Sequence, residues 1–172
     1  VTDIDLLNNT SILNQTVVGS YDPNDKMESH GETININSFT TDDYLYYTIR
    51  FQNTGSANAI NVRIEDLLNS QLNTTTLRMV GSSHDYTLVR EGNQLTWSFV
   101  GINLPSILQS EELSQGFVSF KIKPNAGYAV NDVIPNTAEI YFDSNPAIIT
   151  NTFQTTFVNT LSSENFLLDE IA

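Results

Sequence analysis

Residues 44–51, YLYYTIRF, decide the fold class, because apolar and polar side chains alternate along them with a period of two. This period places Leu45, Tyr47, Ile49 and Phe51 on one face, which is the pattern of a half-buried β-strand. The tetrapeptide QNTG follows directly and predicts a turn, since Asn favours turns and Gly accepts a positive φ. We therefore expect the central strand of a sheet here.

The same alternation recurs in seven later stretches, which are separated by segments rich in Gly, Asn, Ser and Asp. These stretches are residues 59–66, 74–81, 86–91, 94–101, 116–123, 136–142 and 147–158. Short alternating strands with turn residues between them predict an all-β fold, an antiparallel immunoglobulin-like β-sandwich of seven or more strands. Only two short segments, residues 66–72 and 105–113, favour a helix.

The composition excludes several classes of function. Lys and Arg number 7 against 20 Asp and Glu, a net charge of −13, so neither nucleic acid nor an anionic membrane surface is an expected partner. No apolar run is long enough to cross a bilayer. The chain has no Cys, which excludes disulfides and thiolate metal sites. It begins at Val1 without a signal-peptide pattern, so we expect a piece of a longer protein.

Two polar side chains have the inward parity of their strands. Asp66 continues the face of Ile60 and Ile64, and Asn136 opens the face that includes Ile140. A buried polar group without a partner costs free energy, so both side chains should meet a partner inside the sandwich.

Lys26 is the candidate partner. It follows a Pro-Asn-Asp turn in GSYDPNDK (19–26), whereas the other two lysines fall on the outward face of their strand. An early strand that carried Lys26 would complete a cluster of Lys26, Asp66 and Asn136.

Several longer motifs resemble a known family. YTIRFQNTGSANAINVRIEDLL (47–68), LTWSFVGINLP (95–105) and NTAEIYFD (136–143) are similar to repeat domains of unknown function in bacterial surface proteins. A subgroup from secreted proteins of Bacteroidota-type bacteria also has GSYDPNDK before this core and IYFDSNPAIITN (140–151) after it, often directly before a type IX secretion sorting domain. The resemblance covers roughly residues 17–158. It implies a non-catalytic spacer or stalk module that is secreted or displayed at the cell surface.

The resemblance also suggests a division of the chain. Residues 1–18 are expected to be a linker or the end of a preceding domain, and residues 19–158 the sandwich. Residues 159–172 are expected to be a tail that leads towards a C-terminal sorting domain, although its usual YPNP motif is missing. Neighbouring domains of the same chain are the expected partners, and the secretion machinery is a further candidate.

The cluster of Lys26, Asp66 and Asn136 has the groups that an intramolecular isopeptide bond requires, and surface domains of the Cna-B type use the same trio. Burial lowers the pKa of a lysine and raises that of a carboxyl group. Lys26 would attack the side-chain amide of Asn136, protonated Asp66 would polarise the amide oxygen, and ammonia would leave. The bond would close a loop of about 110 residues, worth roughly 4–5 kcal/mol by analogy with disulfides. The alternative is an ordinary ion pair of Lys26 with Asp66 or Asp25, with Asn136 capping a sheet edge.

A second interpretation of the turn before Lys26 is calcium binding, because hard oxygen ligands stand there at short spacing. The candidate ligands are Asp22, Asn24, Asp25, Asp143 and Asn145. They lack the spacing of an EF-hand, so distant segments would have to bring them together. Calcium is the only cofactor that the sequence suggests.

A carbohydrate-binding module is the remaining alternative, because residues 44–51 carry two outward tyrosines beside an arginine. The candidate glycan contacts are Tyr44, Tyr46 and Arg50. No carboxylate pair is marked out by its spacing and no Ser–His–Asp arrangement is apparent, so we do not expect an enzyme.

Overall fold

The computed structural model describes residues 22–159, which form twelve β-strands and no helix. The strands are β1 (Asp25–Glu28), β2 (Thr33–Asn35), β3 (Leu45–Gln52), β4 (Val62–Leu67), β5 (Leu72–Ser82), β6 (Thr87–Glu91), β7 (Gln94–Phe99), β8 (Gln115–Pro124), β9 (Val133–Asn136), β10 (Ala138–Phe142), β11 (Ile148–Ile149) and β12 (Phe153–Val158). The linker predicted for residues 1–18, and all of the predicted tail except residue 159, lie outside the described residues. No helix able to cross a membrane is found in the part of the chain that the structure describes.

The strands pair into three sheets. The first sheet has the order β1–β3–β8–β5, the second β11–β10–β4–β7–β6 and the third β2–β12–β9. Their pairs are antiparallel except that of β2 with β12, which is parallel. The predicted all-β sandwich is confirmed, while the small third sheet and its parallel pair were not predicted.

The core lies between the first and second sheets and is rich in aromatic rings. Phe120 of β8 contacts Trp97 of β7 across the sandwich, with ring centroids 5.4 Å apart. Phe51 of β3 contacts Phe99 of β7 in the same way, at 5.3 Å. All four side chains are at most 1% exposed, and aromatic pairs at these distances add to the stability gained from burial.

The alternation in the sequence predicts most of this core correctly. The inward side chains of β3, including Leu45 and Ile49, are fully buried, and so is Asp66 at the inward parity of β4. Ile60 is an exception, because it is 58% exposed. The strand begins only at Val62, since the main-chain N–H groups of residues 60 and 61 donate to the Asp143 carboxylate instead of a sheet neighbour.

Both helix predictions are wrong. Residues 66–72 contain the end of β4, a turn in which Leu72 N donates to Asn69 O, and the start of β5. Residues 105–113 form isolated turns, one of them closed by the bond from Ser110 N to Ser106 O. A single turn orders several residues for one hydrogen bond, so it does not propagate into a helix without further support.

Candidate functional site

The centre of the candidate site is a lysine inside the sandwich. Lys26 lies on β1, opposite Ile49 of β3, and is only 1% exposed. Its Nζ atom donates a hydrogen bond to Oδ2 of Asp66, which lies on β4 and is fully buried. The pair therefore joins the first sheet to the second through the core, as the parity of the sequence predicts for Asp66.

Aromatic rings surround the amine. The Lys26 Nζ atom lies 5.2 Å from the centre of the Tyr47 ring and 5.6 Å from the centre of the Phe120 ring. Trp97 packs against Phe120 on the side of the second sheet. These rings exclude water from the Lys26–Asp66 pair, so its electrostatic environment has a low dielectric constant.

Burial changes the protonation of both partners. Desolvation lowers the pKa of Lys26, and the attraction and hydrogen bond from Asp66 offset this only in part. Desolvation also raises the pKa of Asp66, again against the opposing effect of Lys26. Both shifts favour a neutral amine beside a protonated carboxyl group, because a dry interior disfavours both charged forms.

Asn136 brings a buried carboxamide to the same region. It ends β9, two residues before Ala138, which pairs with Asp66 in the register of β10 and β4. The residue is 2% exposed, and neither its Nδ2 nor its Oδ1 has a hydrogen-bond partner among the described residues. The sequence therefore predicted correctly that Asn136 is inside the sandwich, and its main chain pairs with Phe153 of β12.

Tyr47 interacts with each member of the cluster. Burial raises the pKa of its phenol well above the ordinary value, the charges of Glu28 and Asp66 raise it further, and the side chains of Thr155 and Asn136 lower it. Since the Tyr47 ring also faces the Lys26 amine, this one side chain interacts with all three members of the predicted trio. The sequence placed Tyr47 in the core without indicating this role.

Unsatisfied polar atoms are concentrated at this place. Within residues 22–159, six buried side-chain N or O atoms have no partner at ordinary hydrogen-bond distance and angle: Tyr47 Oη, Asp66 Oδ1, Trp97 Nε1, Asn136 Nδ2, Asn136 Oδ1 and Thr155 Oγ1. The side chains of Thr155 and Asn136 nevertheless lie near enough to the Tyr47 phenol to lower its pKa. Each such atom costs about 1–3 kcal/mol, so a cluster of them calls for an explanation beyond folding. The buried amine of Lys26, the carboxyl group of Asp66 and the carboxamide of Asn136 are the types of group that an amide exchange would use.

Four of the five predicted calcium ligands form hydrogen bonds through their side chains with other groups of the protein. Asp22 Oδ1 accepts from Asn24 N at 2.9 Å, Asn24 Oδ1 accepts from Gln52 N at 3.0 Å, and Asp25 pairs with Arg50. Asp143 accepts from the main chain of residues 60 and 61, and Asn145 lies in the turn after β10. Among residues 22–159, no three or more His, Asp or Glu side chains are grouped as metal ligands would be. Calcium binding stays a prediction.

The predicted glycan contacts lie on the outer face of the first sheet. Lys121 Nζ is 4.7 Å from the Tyr44 ring centre and 5.7 Å from that of Tyr46, so a cation already faces both rings. Arg50 Nε donates to Asp25 Oδ1 at 2.7 Å. Glycan binding also stays a prediction.

One contact of the site was missed at the level of sequence. The carboxamide of Asn151 forms two hydrogen bonds with the main chain of Lys26, each 2.9 Å long. Asn151 is the last residue of the motif IYFDSNPAIITN, which was the only available signal. Periodicity does not identify it, because the contact joins a side chain to a main chain about 125 residues away.

Comparisons with known proteins agree with this architecture. Residues 22–156 match the family model described as Domain of unknown function (DUF7619). No curated protein sequence matches the chain.

Among solved structures, the chain is similar to a variant of BcpA, the major pilin subunit of Bacillus cereus, with a TM-score of 0.54 and 15% identity over 77% of this chain. It is also similar to the full-length major pilin SpaD from Corynebacterium diphtheriae, with a TM-score of 0.53 and 18% identity over 77% of this chain. The chain spans only 39% and 35% of these two pilins. A collagen-binding domain from a Staphylococcus aureus adhesin matches with a TM-score of 0.47 and 13% identity, over 81% of this chain and 99% of that domain. At such identities the two pilins inform the fold alone, and they confirm the immunoglobulin-like sandwich.

Proposed function

The chain belongs to the family described as Domain of unknown function (DUF7619), and from this premise we propose that it is a structural spacer or stalk module, locked by an isopeptide bond between Lys26 and Asn136. The module is non-catalytic towards other molecules and belongs to a multidomain protein that is secreted or displayed at the cell surface. The resemblance of GSYDPNDK and IYFDSNPAIITN to motifs in type IX secretion substrates of Bacteroidota-type bacteria supports a parent protein of that kind.

The structural role is supported by the kind of protein that shares this fold. Two of the similar structures, those of BcpA and SpaD, are major pilins. The composition agrees, since a chain without Cys has no disulfide to resist unfolding. A covalent bond between side chains supplies the missing restraint.

The crosslink is supported by one observation above all, the burial of Lys26, Asp66 and Asn136, all of which interact with Tyr47. An ordinary ion pair is a poor explanation, because taking two charges out of water costs several kcal/mol per ion. It also leaves the carboxamide of Asn136 and Oδ1 of Asp66 without partners. A reaction that consumes the amine and the amide explains why all three groups are held there.

The reaction exchanges one amide for another. The lone pair of the neutral Lys26 amine attacks Cγ of Asn136, while protonated Asp66 donates a hydrogen bond to the amide oxygen. The new bond joins Nζ to Cγ, and the bond from Cγ to Nδ2 breaks. Asp66 transfers a proton from Nζ to the departing nitrogen, which leaves as ammonia. Asp66 ends as it began, and no other reactant is required.

Intact-mass spectrometry of the purified full chain tests the proposal. We expect the wild-type mass to be smaller than that of its sequence by one ammonia, and a digest to contain one peptide that joins β1 to β9. The variants Lys26→Ala, Asn136→Ala and Asp66→Asn should each have the full mass of their own sequence. Lys121→Ala is the matched control, because this lysine lies on the outer face of the first sheet and should leave the ammonia loss unchanged.

Two results would contradict the proposal. A wild-type chain with its full mass would exclude the crosslink, and the buried trio would then be an unreacted polar cluster. A mass smaller by one water would identify Asp66 as the group joined to Lys26, and Asn136 would not be the electrophile.

A further inference from the structure

Lys26 lies on β1, a short strand at the edge of the first sheet. β1 has four residues, and it pairs with β3 on one side only. On the other side, a groove of about 460 Å³ separates it from the beginning of β12. Within the described residues, β1 and β12 form no strand pair. The position of the Lys26 main chain therefore depends on something other than a second sheet neighbour.

Asn151 crosses this groove. Its Oδ1 accepts from Lys26 N at 2.9 Å and its Nδ2 donates to Lys26 O at 2.9 Å. One side-chain amide thus supplies the donor and the acceptor that a neighbouring strand would supply to the same residue. We call these two bonds the Asn151 clamp.

The segment that contains Asn151 also forms hydrogen bonds with the main chain on either side of residue 137, close to Asn136. Thr150 N donates to Ala138 O at 2.9 Å, and Ala138 N donates to Thr150 Oγ1 at 3.0 Å. Two residues beyond Asn151, Phe153 pairs with Asn136 in the register of β12 and β9. Residues 150–153 therefore connect the main chain that carries the amine to the main chain that carries the amide.

We propose that Asn151 is a positioning residue for the crosslinking reaction, holding Lys26 at the depth and angle from which its amine reaches Asn136. This inference rests on the proposed function. Asn151 touches neither reacting atom, so it acts through the main chain of Lys26. Asn151 is exposed, so replacing its side chain leaves the buried core unchanged. Displacement of a reactant by about 1 Å slows a reaction by up to about a hundredfold, so the loss of the clamp has a measurable effect on rate.

The test follows ammonia loss with time. The full chain is synthesised in a cell-free system, samples are quenched in acid, and the reacted fraction is read from the intact mass. We expect Asn151→Ala to react at least about tenfold more slowly than wild type. Asn151→Asp keeps the acceptor for Lys26 N but puts a carboxylate against Lys26 O, and it should also be slow.

Asn61→Ala is the matched control for a purely structural effect. Asn61 is also exposed, and its Oδ1 accepts from Gly101 N at 2.9 Å, next to the end of β4 that is remote from Asp66. This variant should react at the wild-type rate. Circular dichroism checks that each variant is folded, and amide hydrogen exchange should show Lys26 N losing protection in Asn151→Ala but not in Asn61→Ala.

The other outcomes separate a failure of the positioning role from a failure of the proposed function. Equal rates for Asn151→Ala and wild type would overturn the positioning role while leaving the crosslink intact. If Asn151→Ala and Asn61→Ala slow the reaction equally, the clamp contributes to the stability of the fold and does not position Lys26. A wild-type chain that never loses ammonia would overturn the proposed function, and the clamp would have no reaction to assist.

Discussion

At the scale of single residues, the arrangement depends on the way Lys26 and Asp66 share a proton. In water the lysine is charged and the carboxyl group is ionised, so the pair holds one proton. In the folded chain before reaction the pair also shares one proton, and burial shifts the balance from the amine towards the acid, since desolvation lowers the pKa of Lys26 and raises the pKa of Asp66. Such a pair titrates as a unit, and its protonation belongs to both residues together. The neutral amine that results is the nucleophilic form.

This shared proton predicts how the stability of the unreacted domain depends on pH. The lowered pKa of Lys26 makes stability rise with pH up to the ordinary lysine value of 10.5, and the raised pKa of Asp66 makes it fall with pH from the ordinary value of 3.8. Between those limits the folded and unfolded pairs each hold one proton, so the two slopes cancel. Stability should fall below about pH 4, where the unfolded pair takes up a second proton, and above about pH 10.5, where it loses its last.

The measurement is urea unfolding of Asn136→Ala, which cannot crosslink, from pH 3 to pH 11 at steps of about two units. The reference is the same variant with Lys26→Met and Asp66→Leu added, since all other titrating groups are common to both. The difference in unfolding free energy should be flat at neutral pH and bend at both ends. A steady slope through neutral pH in that difference would mean that the two groups titrate separately.

At the scale of secondary-structure elements, β8 approaches β3 closely at one glycine. Gly116 pairs with Phe51 in the register of the two strands. A Cβ atom at residue 116 would lie 2.2 Å from Cζ of the Phe51 ring, which is far inside van der Waals contact. The ring cannot move aside freely, because it packs against Phe99 and Phe142 in the core. The glycine is therefore a requirement of packing rather than of backbone conformation.

Gly116→Ala should lower the free energy of unfolding by about 1–3 kcal/mol through overpacking. Gly81→Ala in β5 is the matched control, because the nearest atom to its added Cβ would be 3.8 Å away. We expect the control to change stability by no more than about 0.5 kcal/mol. Urea unfolding of both variants, together with intact mass to check that ammonia loss is complete, makes the comparison. Equal losses of stability in Gly116→Ala and Gly81→Ala would show that the Phe51 ring can move aside, so that β3 and β8 do not require a glycine at residue 116.

The same scale shows what sequence periodicity predicts and what it misses. The alternation in β3 and β4 assigns Tyr47 and Asp66 to the core because a strand presents every second side chain to one face. It fails at Ile60, where a distant carboxylate takes the main-chain N–H groups that a longer strand would use. It also misses the clamp at Asn151, since a side chain that imitates a strand leaves no period in the sequence. Local pattern thus predicts faces, whereas partners far along the chain are set by the assembled sheets.

At the scale of the whole molecule, the proposed crosslink determines which part of the chain resists extension. A bond between Lys26 and Asn136 closes a loop of about 110 residues that contains β2 to β8 and most of β9. Strands β10, β11 and β12 follow Asn136 and lie outside this loop. A force applied to the two ends of the chain therefore passes from β1 through the crosslink to β9. From there it leaves along β10 to β12, where β12 is held by its ladders with β9 and β2.

Single-molecule stretching of the full chain should measure this directly. An extended residue adds at most about 3.5 Å of length, so the closed loop withholds roughly 380 Å of extension. We expect wild type to lengthen on unfolding by about that much less than Lys26→Ala, because only the segments outside the loop can be drawn out. Lys121→Ala, which keeps all three members of the trio, should behave as wild type. If wild type and Lys26→Ala lengthen equally on unfolding, no crosslink closes the loop. The domain is then a spacer held together by non-covalent contacts alone.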